Sequence, residues 1–304
     1  MILYIQMRKR PIRFYLELLG LFLLVVGVWS QRDFISPAVA AIKTANLPLV
    51  IVCLLLQWVV LFWSGLGYYV LARKHIKLHE ACLTNLAAAG PGRIVPAGAG
   101  QLSFGVLFLK KSGLSTTKSL AVALTNNMMG FLVNISIVAF ILAFITHPSA
   151  NRSLTNTYLL LALGVVLVIC IAVPTLRKKV AELVRTMIST LKSPVQTGQL
   201  AMTALAILLT NSIILTLASA SVGIHVTIAQ AILIMSSGVA LGSVVPTPGG
   251  LGGVEAGLIA AFVAFGYDPT LAASATVLFR LATYVQPLIP GVGAYVYLRR
   301  LNKL

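Results

Sequence analysis

Long apolar runs, separated by short polar or basic stretches, dominate the chain. A helix needs about 20 apolar residues to cross a bilayer, and six runs approach or exceed that length. They are Phe14–Ser30, Leu47–Leu71, Ala121–Thr146, Tyr158–Val173, Leu200–Val222 and Leu271–Tyr297. The pattern predicts an all-α polytopic membrane protein with about six full spans.

Two further apolar regions are interrupted by residues that break helices. His79–Leu109 contains GPGRIVPAGAG at Gly90–Gly100, and Thr227–Phe265 contains VVPTPGGLGGVEAG at Val244–Gly257. Proline removes a backbone donor and glycine relaxes the helix, so such backbone is tolerated at membrane depth only where protein or water satisfies it. We expect two re-entrant helical hairpins whose tips face a polar cavity. Two short full spans per region would give the same distribution of charge, but the short arms favour hairpins.

The charges support this threading. The net charge is +17, and the 23 basic residues cluster at the ends of apolar runs. If the N- and C-termini are both cytoplasmic, only Arg32, Lys43 and Arg152 fall outside, while Arg93 and Arg280 lie within apolar regions. That is the inside bias expected of a membrane protein. A nucleic-acid-binding protein would carry its charges on a soluble module, so no nucleic-acid partner is expected.

The two interrupted regions resemble each other. GRIVPAGAG aligns without a gap with GSVVPTPGG, and Pro96 and Pro246 are then equivalent residues 150 positions apart. The order span, span, hairpin, span recurs, and the threading places the two halves in opposite orientations. We therefore expect a single transmembrane domain, residues 1–304, built as an inverted-topology repeat with halves of approximately 1–150 and 151–304. Paired interruptions of this kind mark the binding site in transporters.

Three charged residues are the leading candidates for a site. Glu255 lies near the start of the second hairpin's second arm, where a helix N-terminus stabilises negative charge. Arg280 lies within the last span, where a charge costs several kcal/mol or so unless it is paired or hydrated. Glu255 and Arg280 are a candidate pair, either a structural lock or a substrate site. Arg93, at the first tip, could bind a lipid phosphate bidentately or extend to the membrane surface.

The other candidate substrate-binding residues are small or polar residues at the two interruptions and in the helix after the first one. They are Pro96, Gly98, Gly100, Gln101, Asn126, Asn127, Pro246, Thr247, Pro248, Gly249, Gly250, Gly252 and Gly253. Asn127 aligns approximately with Arg280 if three residues are inserted. Interhelical hydrogen bonding for the asparagines, and close helix packing for the glycines, are alternative roles. The sequence offers no nucleophile–base pair, metal cluster or phosphate loop, so we expect neither an enzyme nor a cofactor or metal.

The segment Leu176–Lys192 has a different pattern. Its apolar residues form one helical face and basic residues fill the rest. It is predicted to be an interfacial helix on the anionic cytoplasmic leaflet, with an ordinary loop helix as the alternative.

Three stretches resemble the lysylphosphatidylglycerol synthase transmembrane (flippase-like) family. They are PTPGGLGGVEAG, FRLATYVQPLIPGVGAYVYLRR and PAGAGQLSFGVLFLKKSGLSTTKSLA, and the resemblance covers most of the chain. It implies a multi-pass protein of a prokaryotic cell membrane that moves lipids between leaflets. Larger relatives add a soluble domain that transfers an amino acid to phosphatidylglycerol. The chain stops just after Arg299–Arg300, so we expect no such domain here. Relatives often have an acidic–basic pair where this chain has Asn126–Asn127, which is a departure.

Three functions follow from these observations. The leading one is a flippase or transporter for an anionic or modified phospholipid, or a lipid-linked molecule. The alternatives are a proton-coupled transporter of a small solute that uses Glu255, and a non-transporting partner of a lipid-modifying enzyme. The expected partners are membrane lipids; a lipid-modifying enzyme and a second copy in a homo-oligomer remain open.

Overall fold

The structure, a computed structural model, describes residues 43, 45–94, 99–144, 174–191, 193–243 and 252–304. These residues are helical and include no β-strand. The helices, in chain order, are α1 (Leu47–Ala72), α2 (Leu78–Ala89), α3 (Ala99–Lys111), α4 (Thr116–Phe144), α5 (Pro174–Thr190), α6 (Pro194–Ser221), α7 (Ile228–Ser243), α8 (Gly253–Ala264), α9 (Pro269–Arg280) and α10 (Leu288–Arg300). A 3₁₀ turn at Pro91–Ile94 follows α2, and a π-helical turn at Leu281–Val285 follows α9.

Among the residues that the structure describes, three helices are long and apolar enough to cross a membrane. Helices α1, α4 and α6 have 26 to 29 residues and a mean hydropathy of 2.1 to 2.4. At a rise of about 1.5 Å per residue, each exceeds a hydrocarbon core about 30 Å thick. They confirm three of the predicted spans to within a few residues. The predicted spans Phe14–Ser30 and Tyr158–Val173 lie outside the described residues.

Many large apolar side chains lie on the outer surface of these helices. Large side chains such as Leu55, Phe131 and Phe144 are exposed, with 74% of Phe144 accessible. Lipid tails satisfy such side chains, whereas water would not. Together with the three long helices, this surface makes the chain an all-α membrane protein.

In both interrupted regions, two short helices flank the residues that interrupt the apolar run. The arms α2 and α3 pack together, and so do α7 and α8. A Cβ added to Gly238 would lie 2.9 Å from the Cα of Leu258, so the backbones of α7 and α8 are in close contact. Since lipid tails are as apolar as the side chains, close backbone packing of this kind helps hold membrane helices together. Whether the arms re-enter or cross the membrane stays a prediction.

The last predicted span is not the single helix Leu271–Tyr297. It is divided into α9, the π turn and α10. Pro287 has no backbone N–H, so the Thr283 carbonyl four residues earlier lacks its usual helical donor. The Gln286 N–H donates to the Leu281 carbonyl at 2.9 Å. This acceptor lies five residues back, one more than in an α-helix, and the turn is therefore wider. A second proline, Pro290, follows within one turn, and the α-helix resumes from Leu288.

The packing joins the two halves of the chain. Helices α1 and α6 lie along each other, and α10 packs on α2. At the second contact the backbones touch, because a Cβ on Gly291 would lie 2.5 Å from the Leu86 carbonyl oxygen. This contact places the end of α2, and the break that follows it, beside the broken last helix.

Side chains cap two of the helices, and the predicted amphipathic segment is helical. The Asp268 carboxylate accepts the N–H groups of Thr270 and Leu271 at the start of α9, and Ser115 Oγ accepts the Lys118 N–H at the start of α4. Each satisfies a free donor at a helix N-terminus. The segment predicted to be amphipathic is helix α5, and its Ile188 side chain is exposed. Its position at the membrane surface stays a prediction.

Candidate functional site

Arg93 lies in the 3₁₀ turn that ends the first arm of the first interrupted region. The turn is closed by a hydrogen bond from the Arg93 N–H to the Gly90 carbonyl, at 3.1 Å. Gly100, at the start of α3, packs on the Gly92 carbonyl oxygen so closely that a Cβ at residue 100 would clash with it. The two sides of the break are therefore fixed against each other, which sets the direction of the Arg93 side chain.

The Arg93 guanidinium binds the π turn of the last helix. Its Nη1 donates to the Tyr284 carbonyl at 2.5 Å, and its Nη2 donates to the Thr283 carbonyl at 2.8 Å. The Thr283 carbonyl is available because Pro287 cannot donate to it. Arg93 thus supplies from the first half of the chain the donor that the broken helix in the second half lacks.

Glu255 and Arg280 form an ion pair, as predicted. Glu255 Oε1 accepts from Arg280 Nε at 2.5 Å, and Oε2 accepts the backbone N–H of Gly252 at 2.7 Å. Gly252 has a φ of +80°, a left-handed conformation that glycine adopts without strain, and it turns the chain into α8. The carboxylate therefore caps α8 while it pairs with the last residue of α9.

The two arginines share one aromatic ring. The guanidinium carbons of Arg93 and Arg280 lie 4.1 Å and 4.5 Å from the ring centroid of Tyr284. A cation over an aromatic face is attracted by the negative face of the ring. Tyr284 therefore holds together two like charges that would otherwise repel each other.

The cluster carries more positive than negative charge in a largely buried place. Only 4% of the Glu255 side chain and 16% of the Arg280 side chain are accessible. Arg93 and Arg280 against Glu255 leave one positive charge in excess. Arg280 Nη2 is buried and has no hydrogen-bond partner among the described residues. A buried polar donor without a partner is costly, so this atom is available to an acceptor that the described residues do not supply.

Both interrupted regions meet at this point. Arg93 comes from the first break, and Glu255 from the arm that follows the second. They contact the last helix within one turn of each other, at residues 280 and 283–284. We refer to Arg93, Glu255, Arg280 and Tyr284 as the arginine cluster.

The other predicted site residues have different surroundings. The Asn126 side chain packs against Gly67 of α1, where a Cβ would lie 2.5 Å from its Oδ1. This contact places the Asn126 side chain between α4 and α1. Asn127 and Gln101 are exposed, so Asn127 does not share the largely buried setting of Arg280. Gly253 is the first residue of α8.

Several predicted residues lie outside the described part of the chain. They are Pro96, Gly98, Pro246, Thr247, Pro248, Gly249 and Gly250. Their role in binding stays a prediction. The first described residue after them is Gly252, whose N–H donates to Glu255 of the cluster.

The sequence reading missed Tyr284 and the backbone carbonyls of the π turn. The sequence did contain a sign of the break, because Pro287 and Pro290 lie inside the run Leu271–Tyr297 that was predicted to be one span. A proline frees the carbonyl four residues before it, so Pro287 leaves the Thr283 carbonyl without a helical donor. Nothing in the sequence pattern identified Arg93 as that donor.

A family model of the lysylphosphatidylglycerol synthase TM region matches residues 17–291 of the chain. The match spans the whole arginine cluster. No curated protein matches the chain.

Proposed function

Because the chain belongs to the lysylphosphatidylglycerol synthase TM family, we propose that it moves a phospholipid, or a lipid-linked molecule, between the leaflets of a cell membrane. The family membership supports a role connected with membrane lipids. The observation that carries the proposal is the arginine cluster, where both interrupted regions contact one turn of the last helix. No covalent step is part of the proposal.

A headgroup must cross an apolar layer for a lipid to change leaflets. The barrier is the desolvation of its charge, which costs several kcal/mol or more in a bilayer core. Paired guanidinium groups in a largely buried setting reduce this cost, because they replace water as partners of the phosphate. The acyl chains need no such help, since large exposed side chains such as Leu55 of α1 and Phe131 of α4 are apolar and compatible with lipid.

The position of the cluster suits a transport cycle. In transporters with repeated halves, the site lies where discontinuous helices of the two halves meet, and the halves rock about it. Here Arg93 connects the first half to the last helix, and Glu255 connects the second interrupted region to the same helix. A small rotation between the halves would change the contacts of Arg93, while Glu255 and Arg280, which both lie in the second half, would stay paired.

A proton-coupled solute carrier fits the contacts less well. Such a carrier needs a carboxylate that gains and loses a proton during the cycle. Both oxygens of Glu255 accept hydrogen bonds, from Gly252 N–H and from Arg280 Nε. Both oxygens are thus engaged by donors of the protein, which makes Glu255 a fixed part of the site.

The test is lipid exchange in vesicles that contain the purified protein. Vesicles would carry headgroup-labelled phosphatidylglycerol or phosphatidylcholine. A membrane-impermeant quencher would remove the signal of the outer leaflet, so the protected label is that of the inner leaflet. We expect the wild-type chain to accelerate the loss of protected label, and Arg280→Ala to abolish this effect.

The matched control is Arg300→Gln, which removes an exposed arginine at the end of α10. It should exchange lipid like the wild type. Circular dichroism and thermal unfolding must show that the Arg280→Ala protein is folded. A folded Arg280→Ala protein that moves lipid at the wild-type rate would contradict the assigned role of the cluster.

A further inference from the structure

We propose that the arginine cluster binds one singly charged phosphodiester, and that Glu255 sets this preference by fixing the charge of the site. The inference deepens the proposed function and rests on it for the source of the ligand, a phospholipid headgroup. The binding chemistry itself concerns any phosphate group that reaches the two arginines.

The first argument is charge balance. Arg93 and Arg280 with Glu255 leave one positive charge, in a place where only 16% of the Arg280 side chain is accessible. Charges interact strongly where water is largely excluded, so the best ligand brings the total to zero. A phosphodiester carries a single negative charge. A phosphomonoester carries about −1.5 to −2 at neutral pH and would leave the site negative.

The second argument is the set of available donors. A guanidinium has five N–H donors in a planar fork. Arg93 uses two of its nitrogens to bind the Thr283 and Tyr284 carbonyls, and the fork geometry leaves donors to spare. Arg280 Nη2 is buried without a partner among the described residues. Phosphate oxygens match guanidinium donors in geometry and charge.

The third argument is that the negative charge in the site cannot easily leave. Only 3% of the surface of Glu255 is accessible. Its second oxygen caps α8 by accepting the Gly252 N–H. Moving the carboxylate away would uncap that helix. An incoming phosphate therefore adds to Glu255 and does not replace it, which is why the carboxylate limits the charge that the site accepts.

The test measures binding by isothermal titration calorimetry with the full chain in a neutral detergent. Three probes are used: dihexanoylphosphatidylglycerol as a diester, dihexanoylphosphatidic acid as a monoester with the same chains, and inorganic phosphate. We expect the wild type to bind the diester more tightly than the monoester. Arg93→Gln and Arg280→Gln should each weaken diester binding about tenfold or more, as loss of a charged hydrogen bond does.

The decisive variant is Glu255→Gln. The amide oxygen can still accept from Gly252 N–H or Arg280 Nε, so the fold is retained while the site gains a positive charge. We expect the preference to shift towards the monoester by about tenfold, the size of one charged contact. Arg300→Gln, an exposed arginine outside the cluster, should match the wild type with all three probes.

Several results would overturn the inference. They are equal binding of diester and monoester by the wild type, an unchanged preference in folded Glu255→Gln, or diester binding that does not need Arg93. Inorganic phosphate that binds as tightly as the diester would identify a site for free anion and would also overturn it.

Vesicle exchange separates this inference from the proposed function. If lipid exchange depends on Arg280 but the wild-type protein binds diester and monoester equally well, the inference fails and the proposed function stands. If the diester binds as expected but no lipid moves, the proposed function fails and the phosphodiester site stands.

Discussion

The Glu255 carboxylate is shared between two donors with different structural roles. One oxygen caps α8 through Gly252 N–H, and the other pairs with Arg280 Nε. The first contact belongs to the second interrupted region and the second to the last helix. Glu255 therefore couples the start of an arm to the position of α9.

This sharing leads to a prediction about stability. We expect Glu255→Gln and Arg280→Gln each to lower the free energy of unfolding, because each leaves a largely buried partner with a weaker contact. The double variant should lose less than the sum of the single losses. The interaction energy should be about 1–3 kcal/mol, as for residues in direct contact.

Denaturant unfolding in mixed micelles, followed by circular dichroism, would measure this cycle. Arg300→Gln provides a reference for loss of an exposed arginine. Single effects that add to within about 0.5 kcal/mol would show that the pair contributes nothing as a pair.

At the residue scale, the sequence predicted two of the charged partners and missed what joins them. A glutamate beside a glycine run and an arginine inside an apolar run are visible without a structure, because charges in such places need partners. Tyr284 and the free carbonyls are not visible in this way. An aromatic residue and a backbone oxygen in an apolar run have many structural roles, and only their geometry with Arg93 gives them this one.

The broken last helix is the element that makes the cluster possible. A continuous α-helix would satisfy the Thr283 carbonyl internally and leave Arg93 without an acceptor. Instead, Pro287 and the π turn at Leu281–Val285 leave that carbonyl to Arg93. π-helical turns are rare and occur frequently at functional sites, which fits the place of this one between α9 and α10.

This element gives a second prediction. Pro287→Ala supplies a backbone N–H that can reach the Thr283 carbonyl and compete with Arg93 Nη2. We expect the helix content to be retained and the rate of lipid exchange to fall to about that of Arg93→Gln. Circular dichroism and the vesicle assay would measure the two quantities.

Pro269→Ala is the matched control, because Pro269 is at the first position of α9, where its missing N–H has no helical partner in any case. It should exchange lipid like the wild type. A Pro287→Ala protein with normal exchange would show that the break does not serve the cluster.

At the element scale, the sequence predicted which segments are helical better than it predicted whether a helix is continuous. The runs that became α1, α4 and α6 were predicted because length and apolar composition are sufficient signals. The run Leu271–Tyr297 was predicted as one helix, although it contains two prolines, because its overall hydropathy outweighed them. Proline in a membrane helix can leave the span whole or break it, and neighbouring groups such as Arg93 decide which occurs.

The whole molecule brings distant parts of the chain to one place. Helix α10 packs on α2, and Gly291 contacts Gly90 through the backbone. This contact holds the last helix against the first interrupted region. The element order of a long helix, a broken pair and a further helical segment recurs in the two halves, but their opposite orientation is still a prediction from charge.

That orientation can be measured by cysteine labelling in a chain whose native cysteines are replaced by alanine. Lys74→Cys and Lys111→Cys lie at exposed positions at the two ends of the first interrupted region. We expect an impermeant thiol reagent to reach both from the cytoplasmic side. His225→Cys and Thr270→Cys, exposed positions at the two ends of the second region, should react from the opposite side.

Labelling of Lys74→Cys and Lys111→Cys from different sides would mean that the first region crosses the membrane once, and would contradict the inverted repeat.

The sequence could predict the class of the molecule because apolar length and basic ends are bulk signals. It could not predict which side chains meet across 150 or more residues, because packing between distant helices leaves little trace in a single sequence.

The central claim is that the two interrupted regions act as one site on the last helix. The most direct test is lipid exchange by Arg93→Gln, Glu255→Gln and the variant with both changes, in vesicles of labelled phosphatidylglycerol. If Arg93 and Glu255 belong to one site, the double variant should exchange lipid no more slowly than the slower single variant. If their effects on the exchange rate multiply, the two regions act independently and the claim is contradicted.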